Sequence, residues 1–267
     1  MNRPRARKRF GQHFLTRPSV ARRIIDLAEL TGRESVLEIG PGHGALTRLL
    51  EEKAGRLYLV EIDRDLAERL RVEYANEPNV ELLEGDVLKM DLASLLRERA
   101  PVVMVANLPY NISSPVLLKC LDTPQLFSRM VLMLQREVAE RVCAHPGTKA
   151  YGGLSIVVQL VAKARVAFSV PPGAFSPQPK VHSSVVVIEP YDPPPLTSIE
   201  RVAVRKVVRT AFSRRRKQLA NALAPLVADP RGILRDLDID PRSRPETLPP
   251  TEFLRLARAV SATAAPS

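Results

Sequence analysis

The chain has 267 residues, 45% of them hydrophobic, which suffices for one α/β domain and a small appended one. No apolar run approaches the roughly 20 residues that cross a bilayer, and the basic N-terminus has no apolar stretch behind it, which argues against a membrane span or a secretory leader. The net charge of +11 sits at the two ends: residues 1–9 hold five basic and no acidic residues, residues 192–267 hold 14 basic and 8 acidic, and the stretch between is balanced at 21 of each. A surplus so placed suits a polyanionic partner, nucleic acid first, although charge kept for solubility gives the same pattern. The four histidines and two cysteines show no metal-ligand spacing, so no metal is expected. Cys120 and Cys143 lie in apolar-periodic segments and read as reduced, buried thiols of a cytoplasmic protein.

In chain order, Thr16 and Pro18 mark the start of a helix running to about Leu30. Strand-like apolar runs follow at residues 35–40, 56–63, 80–86, 101–108 and 129–134, with helical spacing at 45–54, 64–76, 88–99 and 114–121 between them. This βαβ alternation predicts an α/β fold, a mostly parallel sheet covered by helices on both faces. Residues 135–144 read as a helix. The valine-rich runs 154–170 and 181–189 read as two strands joined by a Pro-rich loop, an antiparallel pair at the end of the sheet. Three consecutive prolines in 191–196 suit a stiff linker. Beyond it, residues 198–212, 217–227, 231–237 and 252–262 look helical and form a small all-α domain. The expected organisation is a basic arm over 1–9, a main domain over 10–191 and a helical domain over 192–267.

The chemistry concentrates at strand ends. Residues 36–47 read VLEIGPGHGALT: a buried strand, a glycine-rich turn, then a helix. Gly40, Gly42 and Gly44 let backbone approach a ligand closely. Their G-x-G-x-G spacing is not the G-x-G-x-x-G fingerprint of dinucleotide binding. It suits a sulfonium nucleoside, which carries no phosphate. Glu61 ends the next strand and can accept bonds from both ribose hydroxyls; Asp86 ends the third and can accept from an adenine amine. A glycine turn alone is also ordinary turn chemistry, and a lone carboxylate at a strand end is usually just solvated. The ordered set of turn, Glu61 and Asp86 is far more specific, because all three ends open on one edge of the sheet. His43 reads as turn-exposed.

Asn107-Leu108-Pro109-Tyr110 follows the fourth strand. An adenine N6 amine is a poor nucleophile because its lone pair is delocalised into the ring. The Asn107 side-chain carbonyl and the Leu108 backbone carbonyl can accept its two N–H bonds, pushing nitrogen toward sp³ and aiming the lone pair at a sulfonium methyl. Pro109 stiffens the turn. Tyr110 offers a face for an extruded base. Positioning supplies most of the catalysis, and no strong general base is required.

FGQHFL (10–15), VLEIGPGHGALT (36–47), NLPYNISSP (107–115) and FSPQPKVHSSVVV (175–187) resemble the ribosomal RNA adenine dimethyltransferase family. AFSRRRKQLANAL (211–223) makes the chain more similar to its housekeeping small-subunit branch than to the macrolide-resistance, large-subunit branch. The likeness runs from about Arg7 to Leu256. It implies a class I (Rossmann-like) methyltransferase sheet with a small C-terminal all-α domain. It implies S-adenosylmethionine as cofactor, held by His13, Leu15, Gly40, Glu61, Asp86 and Asn107, with Gly42 in the glycine turn. The implied product is N6,N6-dimethyladenine at two adjacent adenines in a hairpin near the 3′ end of small-subunit (16S) rRNA, formed by four methyl transfers. Phe175 matches a family aromatic that stacks on the target base opposite Tyr110. His43 stands where leucine is common, His182 where aspartate is common, and His13 where asparagine is also frequent.

With that partner the basic features acquire roles. Residues 1–9 read as a disordered arm that orders on RNA. Arg205, Lys206, Arg209, Arg214, Arg215, Arg216 and Lys217 would hold rRNA phosphates, some of them only solvating a helix face. The expected partner is the precursor of the 30S subunit, and the default state is a monomer. The alternatives are large-subunit methylation and an RNA-binding assembly factor that kept the fold; the intact Asn107–Tyr110 and Gly40–Gly44 segments argue against pure binding.

Overall fold

The computed structural model describes residues 12–213 and 217–263. The expected N-terminal arm, Phe10, Gly11 and Arg214, Arg215 and Arg216 lie outside the described residues. The chain runs β1 (Phe14–Leu15), α1 (Pro18–Asp26), β2 (Ser35–Ile39), α2 (Thr47–Glu51), β3 (Arg56–Glu61), α3 (Arg64–Glu73), β4 (Val80–Glu84), α4 (Leu92–Leu96) and β5 (Val102–Asn107). It continues through α5 (Ser113–Cys120), β6 (Phe127–Gln135), α6 (Arg136–Cys143), α7 (Gly153–Gln159), β7 (Ala162–Val170), β8 (Phe175–Ser176) and β9 (Ser183–Pro190). Four further helices follow: α8 (Ser198–Ser213), α9 (Leu219–Leu223), α10 (Pro230–Asp236) and α11 (Pro250–Thr263).

Seven strands form one sheet in the order β4-β3-β2-β5-β6-β9-β7. Pairing is parallel from β4 through β6, and β9 runs antiparallel to β6 with Met130 opposite Ile188 and Gln135 opposite Ser183. The central strands are apolar on both faces because helices cover both. In β5, Val103 and Val105 join a core cluster with Ile24 and Ile25 of α1 and Leu50 of α2. Met104, on the opposite face, meets Cys120 of α5 at 3.7 Å. Helix starts carry local signals: Pro18 opens α1, the Asp63 carboxylate accepts the Asp65 N–H at 3.2 Å, and Asp91 accepts from Ala93 and Ser94. From β2 the chain steps outward to β3 and β4, then returns to place β5 on the other side of β2. That reversal opens a crevice at the carboxyl ends of β2 and β5, where such sheets bind ligands.

Two expectations need correction. The run 154–170 is not one strand: its first half is α7, and β7 begins only at Ala162. The valines favour a strand, but Ser155 overrides them. Its Oγ accepts the Gly152 N–H at 3.1 Å and donates to the Arg141 carbonyl, starting a helix whose Ile156 and Val158 are fully buried. The second concerns the boundary near residue 191. Contacts divide the described chain into one unit within Met1–Ala139 and Ala164–Pro190, and another within Glu140–Lys163 and Tyr191–Ser267. Residues 140–163 therefore pack with the C-terminal helices. Tyr151 is wholly buried there, donating its hydroxyl to the Leu248 carbonyl at 2.8 Å, and the Gly147 N–H reaches the Glu246 carbonyl at 2.8 Å. Around this segment Val204, Val208, Phe253 and Leu256 of α8 and α11 form the helical unit's apolar centre. No described helix is long and apolar enough to cross a membrane.

Candidate active site

One cleft at the carboxyl ends of β2, β3, β4 and β5 collects most of the expected residues. His13, Gly40, Gly42, Glu61, Asp86, Asn107, Leu108, Pro109 and Tyr110 all line it. The glycine turn opens it: Gly40 and Gly42 have φ of +69° and +59°, a region that favours glycine. A Cβ on Gly40 would meet nothing nearer than Pro109 at 4.0 Å, so hydrogen alone leaves that side of the cleft open. A Cβ on Gly42 would run into the Phe14 ring at 2.9 Å.

Glu61 is only 3% exposed. Its Oε2 accepts the Gly42 N–H at 3.1 Å and its Oε1 accepts the Asp63 N–H at 2.9 Å. Burial pushes its pKa up; the two backbone bonds pull it back. Each oxygen keeps a lone pair for a hydroxyl donor. Asp86 Oδ1 takes the Leu88 N–H at 3.0 Å, which directs the carboxylate at the end of the adjoining strand.

Asn107 Nδ2 donates to the His13 carbonyl at 3.0 Å. With the donor end engaged, the Oδ1 carbonyl is turned toward the opposite side as an acceptor. Leu108, 1% exposed, anchors the backbone whose carbonyl is the second expected acceptor. Tyr110 is held by a 2.7 Å hydrogen bond between its hydroxyl and Ser183 Oγ, and its ring lies 5.3 Å from that of His13. Burial raises the phenol's pKa, so Tyr110 stays protonated and is a surface for a base, not a proton acceptor.

The donor set fits the expected cofactor. Two carboxylates at neighbouring strand ends suit a ribose and an adenine amine, and no lysine or arginine is among the described lining residues. Such a lining tolerates a positive sulfonium.

Leu15 and Phe175 are not brought to the cleft. They pair in a two-stranded antiparallel sheet of β1 and β8, at 6% and 5% exposure, with side chains in the core cluster beneath α1. Phe175, which the resemblance matches to the aromatic that stacks on the target base, is not among the lining residues of this cleft. Several lining residues escaped the sequence reading, among them Gln12, Phe14, Ile62, Val87 and Ile112. Ile62 carried a usable signal: an apolar residue directly after Glu61, left 44% exposed. Phe14 stacks on His43 at 4.0 Å between centroids, and His43 Nδ1 meets Arg69 at 3.0 Å, so that histidine is a packed part of the turn. In the helical unit, Arg205 is half-buried on α8, while Lys206, Arg209 and Lys217 are exposed.

Comparison with known proteins accords with this geometry. The chain is 43% identical over 252 residues to the ribosomal RNA small subunit methyltransferase A of Hahella chejuensis, covering 94% of this chain and 92% of that one. It is 45% identical to the same-named protein of Syntrophotalea carbinolica, over 96% and 97% of the two chains. Among solved structures it resembles a dimethyladenosine transferase from Plasmodium falciparum, with TM-score 0.78, 31% identity and coverage of 91% and 96%. It also resembles the 23S rRNA methyltransferase ErmE, with TM-score 0.68, 25% identity and coverage of 93% and 99%. The family model described as ribosomal RNA adenine dimethylase matches residues 3–261: the chain belongs to the ribosomal RNA adenine dimethylase family.

Proposed function

We propose that this protein methylates N6 of two adjacent adenines in a hairpin near the 3′ end of small-subunit rRNA, giving N6,N6-dimethyladenosines during small-subunit biogenesis. The observation that carries the reading is the orientation of Asn107: its amide nitrogen is committed to the His13 carbonyl, so its oxygen is the group offered to an amine. S-adenosylmethionine, when bound, supplies an electrophilic methyl on a positive sulfur. The chain's own residues do the rest. Glu61 and Asp86 receive the ribose and adenine of the cofactor. Asn107 Oδ1 and the Leu108 carbonyl accept the two N6 hydrogens and localise the nitrogen lone pair. Tyr110, fixed by Ser183, supports the extruded base. The proton lost at each transfer is acidified by the positive charge on nitrogen, so water suffices to take it. Phe175 contributes from beneath, by holding β8 against β1.

Names borne by the relatives support a small-subunit rather than a large-subunit target. Lys206, Arg209 and Lys217, with Arg214–Arg216 outside the described residues, would hold rRNA phosphates on a 30S precursor, the protein acting as a cytoplasmic monomer. The test is tritiated methyl transfer to small subunits lacking the modification, followed by mass mapping of the rRNA. Four methyls on two neighbouring adenines are expected. Equal transfer to subunits already dimethylated, or label in large-subunit rRNA, would refute the assignment.

A further inference from the structure

The glycine turn is gripped from outside the cleft by side chains that the cofactor reading does not use. His43, between Gly42 and Gly44, is half-buried and does not line the cleft. Two arginines hold it. Arg48 of α2 donates to the His43 carbonyl at 3.3 Å and to the Gly44 carbonyl at 3.4 Å. Arg69 of α3 lies 3.0 Å from His43 Nδ1. One carboxylate anchors both arginines: Glu73, at the end of α3, takes Arg48 on Oε1 at 2.9 Å and Arg69 on Oε2 at 3.1 Å. The imidazole also packs on the Phe14 ring of β1, 4.0 Å between centroids. Phe14 lines the cleft, and its ring stands 2.9 Å from where a Cβ on Gly42 would be. The Arg69 contact fixes the charge of the imidazole. A guanidinium carries only donors, so Nδ1 offers a lone pair and the proton of the neutral ring sits on Nε2. An imidazolium has a donor at both nitrogens, and its N–H would point at the N–H of Arg69. The contact and the charged ring exclude each other. Arg69 and Glu73 of α3 and Arg48 of α2 are charged groups that face His43, and Glu73 is already engaged by both arginines. β1 brings the uncharged Phe14.

We propose that His43 is a positioning residue: as a neutral imidazole held by Arg69, it props Phe14 against Gly42 and keeps the glycine turn in its cofactor-receiving form, and protonation of the ring releases the prop. The inference rests on the reading of Gly40 to Gly44 as the cofactor turn. It adds a clasp behind that turn, anchored on Glu73 and sensitive to a proton, so that cofactor affinity falls in mild acid.

The test has two arms. Nitrogen-15 NMR of histidine-labelled wild type reads the tautomer without any ligand, the His43 signal being the one missing from His43→Leu. At pH 7.5 the proton should sit on Nε2; a proton on Nδ1 would overturn the proposal. The second arm is calorimetric titration with S-adenosylhomocysteine at pH 7.5 and 5.5, on wild type, His43→Leu, His43→Gln and Arg69→Met, each checked for folding by circular dichroism. At pH 7.5 wild type should bind about fivefold more tightly than His43→Leu, the scale of one hydrogen bond. That advantage should vanish at pH 5.5, on the acid side of an ordinary imidazole's midpoint of about 6.5. His43→Gln keeps an acceptor for Arg69 that does not titrate, so it should keep the advantage at both pH values. Arg69→Met should lack it at both. Groups that all four proteins share, Glu61 among them, cancel from these ratios. Parallel pH dependence in wild type and His43→Leu, or equal affinity of all four proteins at pH 7.5, would overturn the proposal. Failure of wild type to bind at all, with the tautomer as expected, would remove the cofactor reading and this proposal with it.

Discussion

Asn107 has its amide nitrogen engaged by the His13 carbonyl, and in the proposed mechanism the other end of the amide does the work. Asn107→Ala is expected to slow methyl transfer by about 10²–10³, the usual loss on deleting one preorganised polar contact to the reacting group, with a smaller change in S-adenosylhomocysteine affinity; single-turnover kinetics beside a binding titration separates the two. Glu61→Ala has the opposite signature. It removes the brace on Gly42 and, on the proposed reading, the carboxylate that would receive the ribose, so affinity for the same ligand should fall roughly a hundredfold, as for the loss of about two charge-assisted bonds. Glu38, buried on β2, makes a prediction about stability. Burial holds its folded pKa at about 8, above the ordinary 4.5, so the folded state binds the extra proton between those values. Stability from this group is complete below about pH 4.5 and is lost as pH rises toward 8, at a slope of about 1.4 kcal/mol per pH unit. Glu38→Gln should therefore match wild type near pH 4.5 and exceed it at pH 8 in urea denaturation. A gap that fails to widen with pH would contradict it.

At the scale of elements, the glycine turn is the part least able to absorb change. Gly42→Ala would force a Cβ into φ +59° and to within 2.9 Å of Phe14. A cost of about 1–3 kcal/mol in unfolding free energy is expected, together with loss of cofactor binding, read by denaturation and titration of the same sample. The pairing of β1 with β8 works differently. It brings residues 14–15 against 175–176 across some 160 positions of chain, and sets His13 against both Asn107 and Pro177. Nothing local in either dipeptide announces this. Two-residue strands have no periodicity, so only long-range pairing defines them. The error over residues 154–170 has a related cause: valine preference described a half-buried surface, and a serine cap buried in the helical unit decided the conformation.

For the whole molecule, charge separates by unit. Among the described residues no lysine or arginine lines the cleft, whereas α8 and its end carry exposed Lys206, Arg209 and Lys217. Binding of small-subunit rRNA should therefore weaken linearly in log salt. Lys206→Ala and Arg209→Ala should each lower the slope by about 0.7–1 while leaving S-adenosylhomocysteine affinity untouched. An unchanged slope would remove those residues from the rRNA interface. The grouping of residues 140–163 with 191–267 means that the catalytic unit resumes after the chain has entered the helical one. A cut at the proline-rich linker would thus strand Tyr151 without Leu248, and the two units are not separable at residue 191.

Sequence alone determined the βαβ alternation through β5, the parallel sheet, the three strand ends that meet in the cleft, and the Asn107–Tyr110 motif. These follow from local patterns: apolar runs of strand length, glycine where φ must be positive, a carboxylate or amide where a strand stops. Tertiary structure alone decided which end of Asn107 faces the substrate side, that Phe175 and Leu15 turn into the core, that residues 140–163 change unit, and that Glu38 is sealed without a partner. Each depends on groups tens of residues apart coming within a few ångströms, and burial at such contacts sets charge state and orientation in ways no local spacing encodes.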